Sequence, residues 1–373
     1  MNTPLLNSLA QAKLLNNPDA DLQETEIDSP WYIKVMLAIS GWLAAFFILG
    51  FFFSVFSRLY KNTPVLFIAG GGLIAAAYFI LRSKKANEFL EHLGLASSLA
   101  GQGLLFLAII NVLEIGLFRH GNYAYLWLTV GFIQLALALF MPNFVHRIFS
   151  TFFAVLSLGG ALFYFTENTN LIALYGILVM LLTAAVWLNE FRFPKQIEKL
   201  RAFGYGLVLA TLIIKATNHF FHRNSWNIQK FKIQDANLWF QPWMEQLLLS
   251  AITLYVVWKL LQKIHPKPSQ IATILALVGV LIITLLSFQA QGLLTGAIII
   301  LLGFSASNRV LLGLGVITLL YFISNYYYSL QNTLLDKSII LFILGIALIA
   351  GRFIMLKLLP GQRIEKGIEG AKS

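Results

Sequence analysis

Long apolar stretches without a charged residue at their centre recur along the chain, and they constrain its fold more than any other feature. Each is bounded by charges, proline, asparagine or glycine. Because about 20 apolar residues are needed to cross a hydrocarbon core about 30 Å thick, these stretches predict membrane-spanning segments. The twelve stretches are 33–56, 64–81, 93–113, 123–141, 148–165, 171–188, 203–221, 244–261, 271–288, 292–306, 310–326 and 338–358.

The spanning segments are predicted to be helices. Period-two alternation is absent, and the apolar runs are longer than the strands of a membrane barrel. Hydrophobic residues make up 58% of the chain and charged residues 12%, whereas soluble domains carry about a quarter charged residues. A soluble or disordered protein is therefore excluded. The absence of cysteine excludes disulfides, thiolate metal sites and cysteine nucleophiles.

The ninth and tenth stretches are separated only by residues 289–291. A single helix over 271–306 would be about 54 Å long at 1.5 Å per residue, far more than the bilayer thickness. We therefore expect a tight hairpin at this point.

The basic residues predict the orientation. If the tails and every second loop share one side, nineteen Lys and Arg residues lie on that side and eight on the other. The positive-inside rule then places both termini in the cytoplasm, which requires an even number of spans. The predicted fold is an all-α polytopic membrane protein with about 12 transmembrane helices and cytoplasmic N- and C-termini. The net charge of +11 reflects this topology. We predict no nucleic-acid partner, because the basic residues are scattered over short loops.

Three regions follow from this topology. Residues 1–32 form an acidic cytoplasmic tail, which either lies on the membrane as a short amphipathic helix or is mobile. No signal peptide is predicted, because the tail is polar and the first apolar stretch is too long. Residues 33–358 form the membrane domain, with an aromatic outer loop at about 222–242, and residues 359–373 form a basic cytoplasmic tail.

No catalytic motif is found, so we predict that the protein is not an enzyme and has no cofactor or metal. His219 and His222 are three residues apart and could lie on one helix face, but no third and fourth zinc ligands are indicated. Glycine clusters at 70–72, 101–103, 292–296 and 313–315 predict close helix packing.

No Asp, Glu, Lys or Arg lies near the middle of a predicted span. Glu190, Arg201 and Arg352 lie towards the inner ends, from where they can snorkel to the membrane surface. Proton-coupled carriers generally need an ionisable relay at mid-depth, so the sequence disfavours ion-driven transport.

Polar and aromatic residues accumulate instead at the predicted outer ends of the spans. They represent either an aromatic belt with ordinary helix-end charges or a docking surface for another membrane or periplasmic protein. The candidate interaction residues are Glu114, Lys215, Glu245, Asn325, Tyr326, Tyr327, Tyr328, Asp336 and Lys337.

Two groups of motifs resemble a known family, and together they cover about residues 30–358. The motifs are Pro30-Trp31-Tyr32, Gly41-Trp42-Leu43-Ala44, Tyr326-Tyr327-Tyr328-Ser329-Leu330, Thr333-Leu334-Leu335, Lys337-Ser338 and Arg352. They are similar to the uncharacterised bacterial membrane family called domain of unknown function 4401, with Asp336 at a variable position of the motif. The resemblance implies a bacterial cytoplasmic (inner) membrane and no assigned activity. It also implies a possible partner, a second membrane protein of the type named for a GDYXXLXY motif.

Two functions remain open from the sequence. The first is a non-catalytic subunit or scaffold of a membrane protein assembly, with the lipid bilayer and a second protein as partners. The second is a transporter or channel for a small or lipid-like substrate, not coupled through a mid-membrane carboxylate.

Overall fold

A computed structural model gives the fold of most of the predicted membrane domain. It describes residues 62–83, 88–113, 123–223, 240, 242–264 and 270–329, and isolated helical residues within 36–51 and 335–346. The two tails, most of the predicted spans 33–56 and 338–358, and most of the outer loop lie outside the described residues.

Ten α-helices make up the described ranges, and each corresponds to one predicted apolar stretch. They are α1 (Thr63–Arg82), α2 (Glu88–Val112), α3 (Tyr123–Phe140), α4 (Phe144–Thr166), α5 (Thr169–Leu188), α6 (Ile197–Arg223), α7 (Pro242–Ile264), α8 (Gln270–Gln289), α9 (Leu293–Ser305) and α10 (Arg309–Ser329). Two short 3₁₀ turns, Glu190–Arg192 and Pro194–Gln196, join α5 to α6. No strand occurs in the described ranges, so the predicted all-helical class is confirmed.

Eight of these ten helices, α1 to α7 and α10, are long and apolar enough to cross a membrane. Such length and composition are typical of membrane proteins, in which each spanning helix satisfies its own backbone hydrogen bonds.

The predicted break between the ninth and tenth stretches is confirmed. The chain turns between α8 and α9, and Gly292, the N-cap of α9, has a φ of 99°. A Cβ atom at Gly292 would lie 2.4 Å from the ring of Phe322, so this position accepts only glycine. Helix α9 has 13 residues and is therefore about 20 Å long. This is shorter than the hydrocarbon core.

The chain divides into two compact units between Leu105 and Phe106, within α2. In the first unit, α1 and α2 approach closely where a Cβ atom on Gly70 would lie 2.8 Å from the carbonyl oxygen of Gly101. The predicted glycine packing is confirmed at these two positions. Gly71, Gly72 and Gly103 face open space instead.

In the second unit, α9 lies at the centre of the helices around it. Leu294, Ile298, Ile299 and Leu302 of α9 are fully buried, and they belong to a core cluster with residues of α5, α6, α7 and α10. Helix α10 packs closely against α9, since a Cβ atom on Gly315 would lie 2.6 Å from the side chain of Ile300. Small residues at such interfaces let helix backbones approach. The short helix is thus shielded by its neighbours.

Candidate functional site

Polar side chains of the second unit lie at two opposite ends of the helices. Arg201 and Lys215 mark these ends on α6, and fourteen residues of helix separate them by about 21 Å. We call the two regions the Glu190 end and the Lys215 end, after the most buried charged residue described in each.

An ion pair between Lys215 of α6 and Glu245 of α7 dominates the Lys215 end. The Lys215 residue is only 7% exposed, and the Glu245 side chain is 17% exposed. A buried ammonium group needs a paired anion to offset its loss of hydration. Glu245 also lies in the first turn of α7, where the helix dipole favours a carboxylate. The structure thus joins two of the predicted candidate residues.

A hydrogen bond beside this ion pair links α7 to α8. The Ser287 hydroxyl donates to Oε1 of Gln246 at 2.7 Å, and both side chains are buried. The hydroxyl of Thr295, in the first turn of α9, is also buried and has no hydrogen-bond partner among the described residues. These three residues are not among the candidates that the sequence predicts. The sequence places Glu245 and Gln246 together at the start of an apolar stretch, which was a signal for polar residues at this position. No feature of the sequence indicated Ser287.

Helix α10 begins at the Glu190 end and is long enough to reach the Lys215 end. The tyrosines in its last turn therefore lie at the Lys215 end. Asn325, Tyr326 and Tyr327 are half-buried, whereas Tyr328 is 74% exposed. The rings of Tyr327 and Tyr328 meet edge to face at 5.5 Å. The other predicted residues, Glu114, Asp336 and Lys337, lie outside the described residues.

At the Glu190 end, a carboxylate is buried at the turn between α5 and α6. Arg201 Nε donates to Oε2 of Glu190 at 3.2 Å, and the Glu190 side chain is 1% exposed. The second oxygen, Oε1, has no hydrogen-bond partner in the described part of the chain, and neither has the indole N–H of nearby Trp187. Arg201 is partly exposed, as expected for a snorkelling side chain. Glu190 does not snorkel, because the 3₁₀ turn at its position buries its carboxylate.

Two further contacts hold other helices at the Glu190 end. The Tyr205 hydroxyl of α6 lies 2.7 Å from Nδ2 and 2.9 Å from Oδ1 of Asn308, just before α10. The Lys263 ammonium of α7 donates to the carbonyl oxygen of Ser305, the last residue of α9, at 2.6 Å. The end of α7 and the end of α9 therefore lie together, whereas Ser287 near the end of α8 contacts the start of α7. The chain thus reverses direction between α8 and α9.

A buried arginine closes the α3–α4 connection at the same end. Arg147 Nε donates to the carbonyl of Ala138 at 2.9 Å, and Nη2 donates to the carbonyl of Met141 at 2.6 Å. These bonds satisfy carbonyl groups that the end of α3 would otherwise leave without partners. The Arg147 guanidinium also lies 6.0 Å from the Phe203 ring centre of α6. The buried guanidinium group of Arg147 therefore stabilises the backbone of the α3–α4 connection.

Between the two ends, the core around α9 is apolar. Val208 lies midway between Arg201 and Lys215 on α6, and it belongs to the core cluster with Met180, Leu249 and Ile298. Four buried hydroxyls at this depth donate within their own helices. Thr183, Thr211, Thr253 and Thr318 each donate to the carbonyl four residues earlier. The protons of these four hydroxyls are therefore not available to donate to a solute.

The described residues contain no group of three or more His, Cys, Asp or Glu that could hold a metal ion. The side chains of His219 and His222 lie outside the described residues, so the zinc alternative is untested and the absence of a metal stays a prediction.

Comparison with known proteins gives one match. A family model described as Domain of unknown function (DUF4401) matches residues 30–358. No curated protein and no solved structure matches the chain.

Proposed function

The chain belongs to the family described as Domain of unknown function (DUF4401). We propose that it is a non-catalytic multispanning subunit or scaffold of a membrane protein assembly. The observation that carries this proposal is the distribution of polar groups in the second unit. Its centre is packed with apolar side chains, and its buried charges are paired or bonded within the chain. A solute pathway would instead need polar groups exposed at mid-depth.

The proposed topology is twelve spans with cytoplasmic N- and C-termini in a bacterial inner membrane. The contacts of the second unit support alternating crossings. The end of α5, the start of α6, the end of α7 and the start of α10 lie together at the Glu190 end. The start of α7 and the end of α8 lie together at the Lys215 end. In this topology the Glu190 end is cytoplasmic, and its basic residues agree with the positive-inside rule.

The proposed partner is a second membrane or periplasmic protein of the GDYXXLXY-motif type, bound at the Lys215 end. Of the candidate residues that the structure describes there, Tyr328 is the most exposed. Tyrosine is enriched in interfaces, because its ring supplies apolar contact and its hydroxyl a hydrogen bond. The Lys215–Glu245 pair lies at the same end of the unit, and both of its side chains are largely buried.

Affinity purification from mild detergent tests the partner proposal. We expect Tyr328→Ala to reduce the amount of co-purified partner at least several-fold at equal recovery of the tagged chain. Tyr321→Ala is the matched control, because Tyr321 is also an exposed α10 tyrosine but lies about two helical turns from Tyr328. Equal recovery of every partner with the native chain, Tyr328→Ala and Lys337→Ala would overturn the docking surface.

A transporter or channel remains the second candidate, and one observation favours it. The short helix α9 begins at the α8–α9 turn, and its first turn carries the buried hydroxyl of Thr295, which has no partner among the described residues. Broken helices with polar groups at their ends are typical of transporter binding sites.

Cysteine accessibility distinguishes the two candidates. In the cysteine-free chain, Thr295→Cys should stay unlabelled by a small water-soluble thiol reagent if the interior is dry. The variant Thr253→Cys, in the apolar core, provides the unreactive reference. Rapid labelling of Thr295→Cys alone would favour a water-filled path and the transporter.

A further inference from the structure

The connection between α5 and α6 is a fixed element of the Glu190 end. The buried Glu190–Arg201 ion pair closes it, and the amide of Gln196 donates to the carbonyl of Phe193 at 2.9 Å. The side-chain amide of Asn189 donates to the carbonyl of Ala185 at 2.8 Å. The two 3₁₀ turns therefore hold a fixed backbone conformation, which sets the positions of their side chains.

These turns expose aromatic and basic side chains in alternation. Phe191 and Phe193 are each 52% exposed, and Arg192 and Lys195 between and after them are also exposed. An exposed phenylalanine is unfavourable in water, but at the boundary of a bilayer its ring lies against lipid. The arginine and lysine beside it then lie at the level of the headgroups.

The end of α7 adds two ammonium groups to the same region. Nζ of Lys263 lies 4.8 Å from the ring centre of Phe191, which places the end of α7 against the turn. Lys259 is one helical turn earlier on the same face, and it is exposed. The Lys263 ammonium has three donors, and the Ser305 carbonyl accepts from it. Donors of both lysines thus remain for an external acceptor.

We propose that this interfacial patch, formed by Phe191, Arg192, Phe193, Lys195, Lys259 and Lys263, binds the phosphate headgroup of an anionic phospholipid. The four cations lie on the α5–α6 turn and on the end of α7, which the Lys263–Phe191 contact joins, and the carboxylate of Glu190 is already paired with Arg201. The guanidinium group of Arg192 matches the geometry of a phosphate, and lysine binds it as a point charge. The phenylalanine rings lie against the acyl chains below the headgroup. A zwitterionic lipid carries no net charge, so the cations select against it.

Native mass spectrometry of the full-length chain in detergent tests this proposal, with phosphatidylglycerol and phosphatidylcholine as probes. We expect the native chain to retain phosphatidylglycerol in preference to phosphatidylcholine. Each basic residue near a membrane surface contributes about 1 kcal/mol, which equals about a fivefold change in affinity. Lys195→Gln should therefore weaken phosphatidylglycerol binding about fivefold, and Arg192→Gln/Lys195→Gln about 25-fold.

Three further measurements sharpen the test. Arg82→Gln removes an exposed cation from the end of α1, and we expect it to change affinity less than twofold. Arg192→Lys/Lys195→Arg keeps both charges and should retain most of the binding, which separates charge loss from misfolding. Inorganic phosphate at millimolar concentration should not displace the lipid, because it lacks the acyl chains. Unchanged binding by the double glutamine variant, an equal loss in Arg82→Gln, or full displacement by inorganic phosphate would each overturn the lipid site.

Discussion

At the scale of single residues, the Lys215–Glu245 pair shows how this chain tolerates charge inside an apolar unit. Burying either charged side chain alone would be unfavourable, and each charge offsets the desolvation cost of the other. Lys215→Ala should therefore lower the free energy of unfolding by about 3–5 kcal/mol, because it leaves Glu245 buried without a cation. The measurement is denaturant unfolding of the purified chain in detergent.

Two comparison variants make that measurement specific. Lys259→Ala removes an exposed lysine and should cost less than about 1 kcal/mol. Lys215→Met/Glu245→Leu replaces both charges with apolar groups of similar size, and we expect its stability to approach that of the native chain. If Lys215→Ala is no more destabilising than Lys259→Ala, the pair does not stabilise the fold.

At the scale of elements, the turn before α9 depends on one glycine. Gly292→Ala should destabilise the chain by about 1–2 kcal/mol through its positive φ. It should cost about 1–3 kcal/mol more through the clash with the Phe322 ring. Gly279→Ala in α8 is the control, because no atom lies within 4 Å of its added Cβ, and alanine there should stabilise the helix by roughly 0.5–1 kcal/mol. Thermal unfolding in detergent compares the two, and equal melting temperatures would contradict the expectation.

The helices were largely predictable from the sequence, whereas their contacts were not. Apolar stretches locate the ten described helices because lipid requires a long run of apolar side chains. The stretch at 203–221 nevertheless underestimates α6, which begins at Ile197, since a helix continues through polar residues outside the apolar region. The Ser287–Gln246 bond joins residues 41 positions apart, and the burial of Glu190 depends on how a 3₁₀ turn folds. Hydrophobic periodicity contains neither kind of information.

At the scale of the whole molecule, the proposed topology can be measured directly because the chain has no cysteine. Single cysteines at Asn62 and Glu167 should react with a membrane-impermeant maleimide in intact cells, since both positions are exposed and lie in predicted outer loops. Cysteines at Lys195 and Ser307, also exposed, should react only after permeabilisation. The reverse pattern would invert the topology, and a pattern that changes between the two positions of one set would exclude twelve alternating spans.

The length of α9 also affects the order in which the chain can be assembled. A helix of 13 residues that leaves the ribosome before α10 cannot bridge the hydrocarbon core by itself. Its glycines at 296 and 303 fit against Leu319 and Leu312 of α10, so part of the surface that shields it is synthesised after it. We therefore expect α9 to reach its final position only after α10 has been made, with the two helices inserting as one hairpin.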